Sequence, residues 1–116
     1  VEGALPRDCV AALVYTTFPD RERAIAAGRA LVEARQAGCI NILPAMTSIY
    51  VWNGVTEVAD EVVLIAKVPT EHVMAAMAAL RALHPYETPA LLVLPVAVAN
   101  ADYLDWLRGG TQVPEI

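Results

Sequence analysis

A chain of 116 residues that is 57% apolar and 18% charged has core enough for one domain and too little length for two. With a formal net charge of −5 and only eight Lys and Arg, scattered along the chain, it lacks the basic patch of a DNA or RNA binder. No apolar run approaches the ~20 residues that a membrane helix requires, so neither nucleic acid nor membrane is an expected partner.

The opening residues, Val1 to Asp8, lack the basic and apolar blocks of a signal peptide. Cys9 and Cys39 are thirty positions apart with no Cys-x-x-Cys spacing. A domain with this much core needs no covalent staple, so both read as reduced thiols in a cytoplasmic setting. The apolar surplus is high for a small monomer and points to burial between subunits.

Along the chain, Cys9 to Thr17 is nearly all apolar and β-prone, and its lack of alternation predicts a strand covered on both sides. Pro19 and Asp20 mark a helix start, with Asp20 placed to cap free N–H groups. Ala24, Ile25, Ala27, Gly28, Leu31 and Val32 then recur at helical spacing within a helix predicted over residues 21–36, and Gly38 supplies its stop. Cys39 to Trp52 is extended, Asn53-Gly54 is a strong hairpin signal, and Val55 to Val68 returns. Both arms exceed the usual ~5–6 residues, which predicts bulges or bends. Thr70 is placed to cap a second helix running to about Leu83, with Val73, Met77, Leu80 and Leu83 as its stripe and Pro85 ending it. Leu91 to Val98 forms a fourth strand, and Asn100 is placed to cap a short final helix.

The order is α+β, β-α-β-β-α-β with a long central hairpin and a short C-terminal helix, the ferredoxin-like pattern. Residues 1–8 and 109–116 read as tails around a domain at 9–108. Proline supports the topology independently: Pro44 and Pro95 fall inside the second and fourth strands, which are the edges of a ferredoxin-like sheet, where proline is tolerated. Both edges carry long apolar runs that would recruit another chain, which predicts a closed ring in which one subunit's hairpin meets its neighbour's sheet.

Several segments together carry a family resemblance. Gly38-Cys39-Ile40-Asn41-Ile42-Leu43-Pro44, Thr47-Ser48-Ile49-Tyr50, Trp52-Asn53-Gly54, Glu61-Val62-Val63-Leu64-Ile65-Ala66-Lys67, His84-Pro85-Tyr86-Glu87-Thr88-Pro89, Leu94-Pro95-Val96 and the closing run from Asn100 to Leu107 resemble CutA, the divalent-cation tolerance proteins, over roughly residues 9 to 108. The resemblance implies a ferredoxin-like subunit in a tight homotrimer, similar in shape to the PII signalling proteins. It also implies a cytoplasmic protein linked to tolerance of copper and other divalent cations, with no settled enzymatic activity. Copper ligation in that family is placed on a Cys after the first strand, a His just before the His-Pro-Tyr motif and a Glu after the second Pro. Here those positions hold Thr16, Leu83 and Ala90, none a ready donor to a soft metal.

Candidate chemistry is sparse. His84, Glu87 and Cys39 are the remaining candidate metal ligands, for copper or another divalent cation, with no cofactor required. His84 also reads as a helix-end histidine bonded to its own loop, and Cys39 as a buried small hydrophobe. Lys67, together with Thr16, Tyr86 and Trp52, is a candidate for a cleft between subunits that takes a small anion. The alternatives are that Lys67 snorkels to water and that the aromatics pack an interface. Glu57, Asp60 and Glu61 read as a solvated acidic arm or a hard-cation group. No phosphate loop, nucleophile elbow or His-Glu-x-x-His occurs, so no catalytic residue is named. Two readings stand: a non-enzymatic trimer in divalent-cation tolerance that binds Cu(II) weakly, and a PII-like sensor or adaptor.

Overall fold

The hairpin closes where Asn53-Gly54 predicts, with positive φ at both residues (51° and 78°), the geometry that matches the twist of the two arms. The computed structural model describes residues 5–112. Strand β1 (Ala11–Phe18) leads to helix α1 (Arg21–Glu33), then to β2 (Cys39–Trp52) and β3 (Val55–Pro69). A 3₁₀ turn at Thr70–His72 enters α2 (Val73–Leu83), followed by β4 (Leu92–Val96) and α3 (Ala101–Thr111). The four strands form one antiparallel sheet in the order β2-β3-β1-β4, the ferredoxin-like arrangement with both proline-bearing strands on its edges.

The core lies between the helices and one sheet face. Ala12, Val14, Thr16 and Phe18 of β1 and Val62, Leu64, Ala66 and Val68 of β3 are buried, beneath Ala24, Ala27 and Leu31 of α1 and Val73, Ala76 and Leu80 of α2. Truncating one of the large members, such as Leu31 or Leu80, to Ala costs about 2–5 kcal/mol. On the opposite face Leu13, Tyr15 and Thr17 are only half-buried. The strand expected to be covered on both sides is therefore fully covered on one, because within a single subunit the second face lacks a complete layer.

The predicted bulge falls at Pro44. Leu43 pairs with Val63 and Met46 with Glu61, so Pro44 and Ala45 together face Val62 alone. This extra residue inverts the alternation of β2. Before it, even-numbered residues such as Ile42 lie over the helix-side row of β3; beyond it, Tyr50 and Trp52 pair with Glu57 and Val55 on the opposite face. The arm past the bulge extends beyond the helices. Ile49 and Val51 on one of its faces and Trp52 on the other are between 58% and 70% exposed.

Several local expectations are corrected. Asp20 does cap α1, accepting from the Arg23 amide at 2.8 Å, but Gly38 is not its stop. Arg35 turns the chain at φ 60°, and bonds from Gln36 N to Leu31 O and Arg35 N to Val32 O complete a Schellman closure. Gly38 serves close approach instead: a Cβ there would stand 2.6 Å from Leu107 Cδ1 and 2.8 Å from Leu107 O. Thr70 caps nothing, since its hydroxyl donates to Cys9 O at 3.3 Å. The Asn100 side chain donates to Asp102 Oδ1 at 2.6 Å rather than accepting from the first turn of α3. Leu83 is 47% exposed, and Ala76 takes its expected place in the buried stripe. Residues 109–111, set apart as tail, continue α3, where Thr111 is buried.

Candidate functional site

Strand β4 pairs with β1 only from Ala11 to Tyr15, which leaves the last turn of that edge to the segment after α2. His84 ends α2 and stacks on Phe18, with ring centroids 4.4 Å apart. Its Nδ1 accepts from the Tyr86 amide at 3.2 Å, and its Nε2 lies 3.0 Å from Thr16 Oγ1. An amide can only donate, so Nδ1 is the bare nitrogen and Nε2 carries the hydrogen toward Thr16. Burial holds the imidazole below its usual range, with the Thr17 backbone and Glu61 pulling partly the other way.

Tyr86 carries the loop across to the other sheet face. Its hydroxyl donates to Glu61 Oε2 at 2.8 Å. Burial pushes the Glu61 carboxyl upward, but hydrogen bonds from Ser48, Tyr86 and Thr17 outweigh it and hold the group below the usual carboxylate range. Burial, then the bond to Glu61, raises the Tyr86 phenol far above its ordinary value. Glu61 therefore stays ionised and Tyr86 stays a donor throughout the neutral range.

A cleft of about 570 Å³ opens between this loop and the inner face of the hairpin arm. Tyr50, Trp52 and Tyr86 form its aromatic walls, and Glu57, Glu61 and Glu87 supply its charge.

The residues proposed from sequence divide. Trp52 and Tyr86 line the cleft together, as does Glu87. Thr16 lies beneath it, buried and bonded to His84. Lys67 is elsewhere: it pairs with Leu13 and Cys39 toward the far end of the sheet, and its Nζ stands 5.5 Å from the Tyr103 ring centroid. One subunit thus does not assemble the expected anion cleft of Thr16, Lys67, Tyr86 and Trp52. The metal candidates also separate. Cys39 lies beside Lys67, both ring nitrogens of His84 are engaged, and among the described residues no three His, Cys, Asp or Glu side chains group to hold an ion. At the positions where the resemblance implied copper ligands, Thr16 is bonded to His84, Leu83 faces outward and Ala90 lines the cleft without a donor. This donor set does not fit copper.

The sequence reading missed Glu57, Glu61 and Tyr50 as one group. The signal was available, because the two-residue turn fixes Tyr50 opposite Glu57, and Glu61 repeats that face at period two. Asp60, read with them, falls on the other face by the alternation of β3.

The likeness of this chain to known proteins spans nearly all of this architecture. It is 42% identical over 99 residues to the divalent-cation tolerance protein CutA of Thermus thermophilus, a match covering 85% of this chain and 96% of that protein. It is 41% identical over 100 residues to that of Pectobacterium atrosepticum, covering 86% and 91%. Its backbone superposes on the crystal structure of CutA1 from Ehrlichia chaffeensis with a TM-score of 0.87 at 31% identity, over 90% of this chain and 98% of that one. For the Thermus thermophilus structure the TM-score is 0.83 at 41% identity, over 88% and 99%. The family model for the CutA1 divalent ion tolerance protein matches residues 12–109, from the second residue of β1 to the last turn of α3, and the chain belongs to that family.

Proposed function

We propose that this protein acts in divalent-cation tolerance as a non-enzymatic homotrimer in the cytoplasm, without a copper centre built from one subunit. The observation that carries the assembly is the hairpin arm. Ile49, Val51, Val55 and Val58 are each more than half exposed, on an edge whose unpaired backbone groups invite another strand. At the other edge Leu92 and Leu94 are also exposed, so each copy offers two adhesive borders, as a closed ring requires. Both cysteines, Cys9 and Cys39, are free thiols, which supports a reducing compartment.

Sedimentation equilibrium at micromolar concentration tests this reading. The expected mass is that of three chains, falling to one chain in the double variant Ile49→Glu, Val51→Glu. A native monomer would overturn it. Calorimetric titration with Cu(II) addresses the metal. Only weak, non-stoichiometric uptake is expected, unchanged by His84→Ala, and tight one-to-one binding lost in that variant would refute the absence of a copper centre.

The cleft favours a second reading, a PII-like sensor or adaptor that takes a small ligand near the hairpin. Its volume of about 570 Å³ falls in the range of small-molecule sites. Its three carboxylates argue against the anion expected from the sequence.

A further inference from the structure

The loop between α2 and β4 hangs on one residue. Among the described residues, no backbone-to-backbone hydrogen bond ties residues 85–90 to the rest of the fold. The polar tethers of this segment are both on Tyr86: its amide donates to His84 Nδ1 at 3.2 Å and its hydroxyl to Glu61 Oε2 at 2.8 Å. Pro85 and Pro89 fix φ at two points of the segment, so it moves as a stiff body rather than as a run of free residues. These contacts lie within one subunit and hold whichever surfaces an assembly covers.

The first tether depends on a lone pair that a proton can take. Neutral His84 accepts at Nδ1 and donates from Nε2 toward Thr16 Oγ1, 3.0 Å away. The imidazolium carries N–H groups at both positions and accepts at neither. Turning the ring over gives no relief, since either nitrogen then faces the Tyr86 amide as a donor. The Phe18 stack at 4.4 Å pins the ring in its plane, so it is the amide that must give way. The surrounding groups do not replace the lost acceptor. From β1 come Phe18, the Thr16 hydroxyl and the Thr17 backbone, none of which titrates. From β3 comes the Glu61 carboxylate, which favours the imidazolium, and from the loop the Tyr86 phenol, which stays a donor. Arg23 of α1 and Tyr50 of β2 bear on that phenol, and in α2 the Arg81 carbonyl accepts from the His84 amide at 3.3 Å.

We propose that His84 is a proton-operated latch on the loop at residues 85–90. A proton taken from solvent at Nδ1 expels the Tyr86 amide, and the loop leaves the hairpin while the strands and helices stay folded. Return of that proton to solvent restores the bond. Burial outweighs Glu61 and holds the imidazole below its usual 6.5, so the closed loop belongs to the neutral ring. Closure is therefore complete at neutral pH and is lost as the pH falls through the lower value. The core survives the opening because Val14, Leu64 and Ala66 are buried beneath α1 and α2. The latch needs no ligand, and it operates under either reading of the function.

NMR of the full chain between pH 7.5 and pH 4.5 tests it. The imidazole signals of His84 report its titration, and hydrogen-exchange protection factors report the loop. Protection of the Tyr86 amide should fall about tenfold, the worth of one lost hydrogen bond, with the midpoint of His84, while Val14 and Leu64 keep theirs. His84→Gln should remove this pH dependence. Tyr86→Phe, which takes away the hydroxyl tether, should move the release to higher pH. Should His84→Gln fail to fold, the native titration and Tyr86→Phe decide. Tyr86 protection that stays constant through the His84 titration would overturn the proposal. So would simultaneous loss of protection at Val14 and Leu64, which marks unfolding of the whole domain. The same release in His84→Gln would assign it to another group, and a midpoint unmoved in Tyr86→Phe would show that the two tethers do not share the loop; either result rejects the latch.

Discussion

The Tyr86 hydroxyl donates to Glu61 Oε2 at 2.8 Å, joining the loop after α2 to the hairpin across the end of β1. This bond ties together the two walls of the cleft, and it connects residues far apart in sequence. Its strength comes from the ionised acceptor, which is held below the usual carboxylate range in spite of burial.

Tyr86→Phe removes the donor and leaves Glu61 with the Ser48 and Thr17 bonds. The expected loss is about 1–2 kcal/mol at pH 7, toward the lower end for a hydrogen bond to a charged group because solvent screens this partly exposed pair. Urea denaturation checks the magnitude. Titration of the Glu61 carboxyl by NMR should move toward the ordinary carboxylate value, and an unmoved titration would refute the assigned role.

Acidification should weaken the fold through His84. Burial depresses its folded pKa below 6.5, so the unfolded chain binds the proton more readily. Its contribution is fully present above pH 6.5 and is lost as the pH falls through the lower folded value. Glu61, also depressed from its ordinary 4.5, adds to the loss further down, since its contribution is present above that value. Urea midpoints measured from pH 7.5 to pH 5 should decline, and His84→Gln should flatten the upper part of that slope. An equal slope in the variant would contradict this reading.

Gly38→Ala places a methyl 2.6 Å from Leu107 Cδ1 and 2.8 Å from Leu107 O. The side chain can rotate away but the backbone oxygen of α3 cannot, so the helix must lift from the start of β2. A loss of about 1–3 kcal/mol is expected, measurable by chemical denaturation. Gly109→Ala, with nothing within 4 Å of the added carbon, is the matched control and should cost far less.

Arg35→Gly should act in the opposite direction. Arg35 holds φ 60° at the end of α1, a conformation that costs an L residue about 1–2 kcal/mol and glycine very little. Part of that gain is offset by the greater freedom of glycine in the unfolded chain. A net stabilisation of about 0.5–1 kcal/mol is expected in urea, and a lower midpoint would disprove the strain.

The sequence by itself determined the strand order, the hairpin register and the start of α1. Each depends on a local rule with a single outcome: proline cannot donate within a central strand, Asn53-Gly54 permits the tight turn, and Asp20 reaches its own helix. It also carried enough motifs to identify the family and to show that Thr16, Leu83 and Ala90 supply no copper ligands. Thr70 and Asn100 resisted local reasoning because other partners compete for their side chains, the distant Cys9 carbonyl for one and the Asp102 carboxylate in the first turn of α3 for the other. Tertiary structure decided the rest of the site. The turn already sets Tyr50 and Trp52 on the face of Glu57 and Glu61; the bulge at Pro44-Ala45 puts the start of β2 on the opposite alternation, and the short β4 lets Tyr86 reach the face of Glu61. The same topology sent Lys67 to the far end of the sheet. One inserted residue inverts a strand's alternation, and no count of residue types reveals on which side of the core the aromatic and acidic groups will meet.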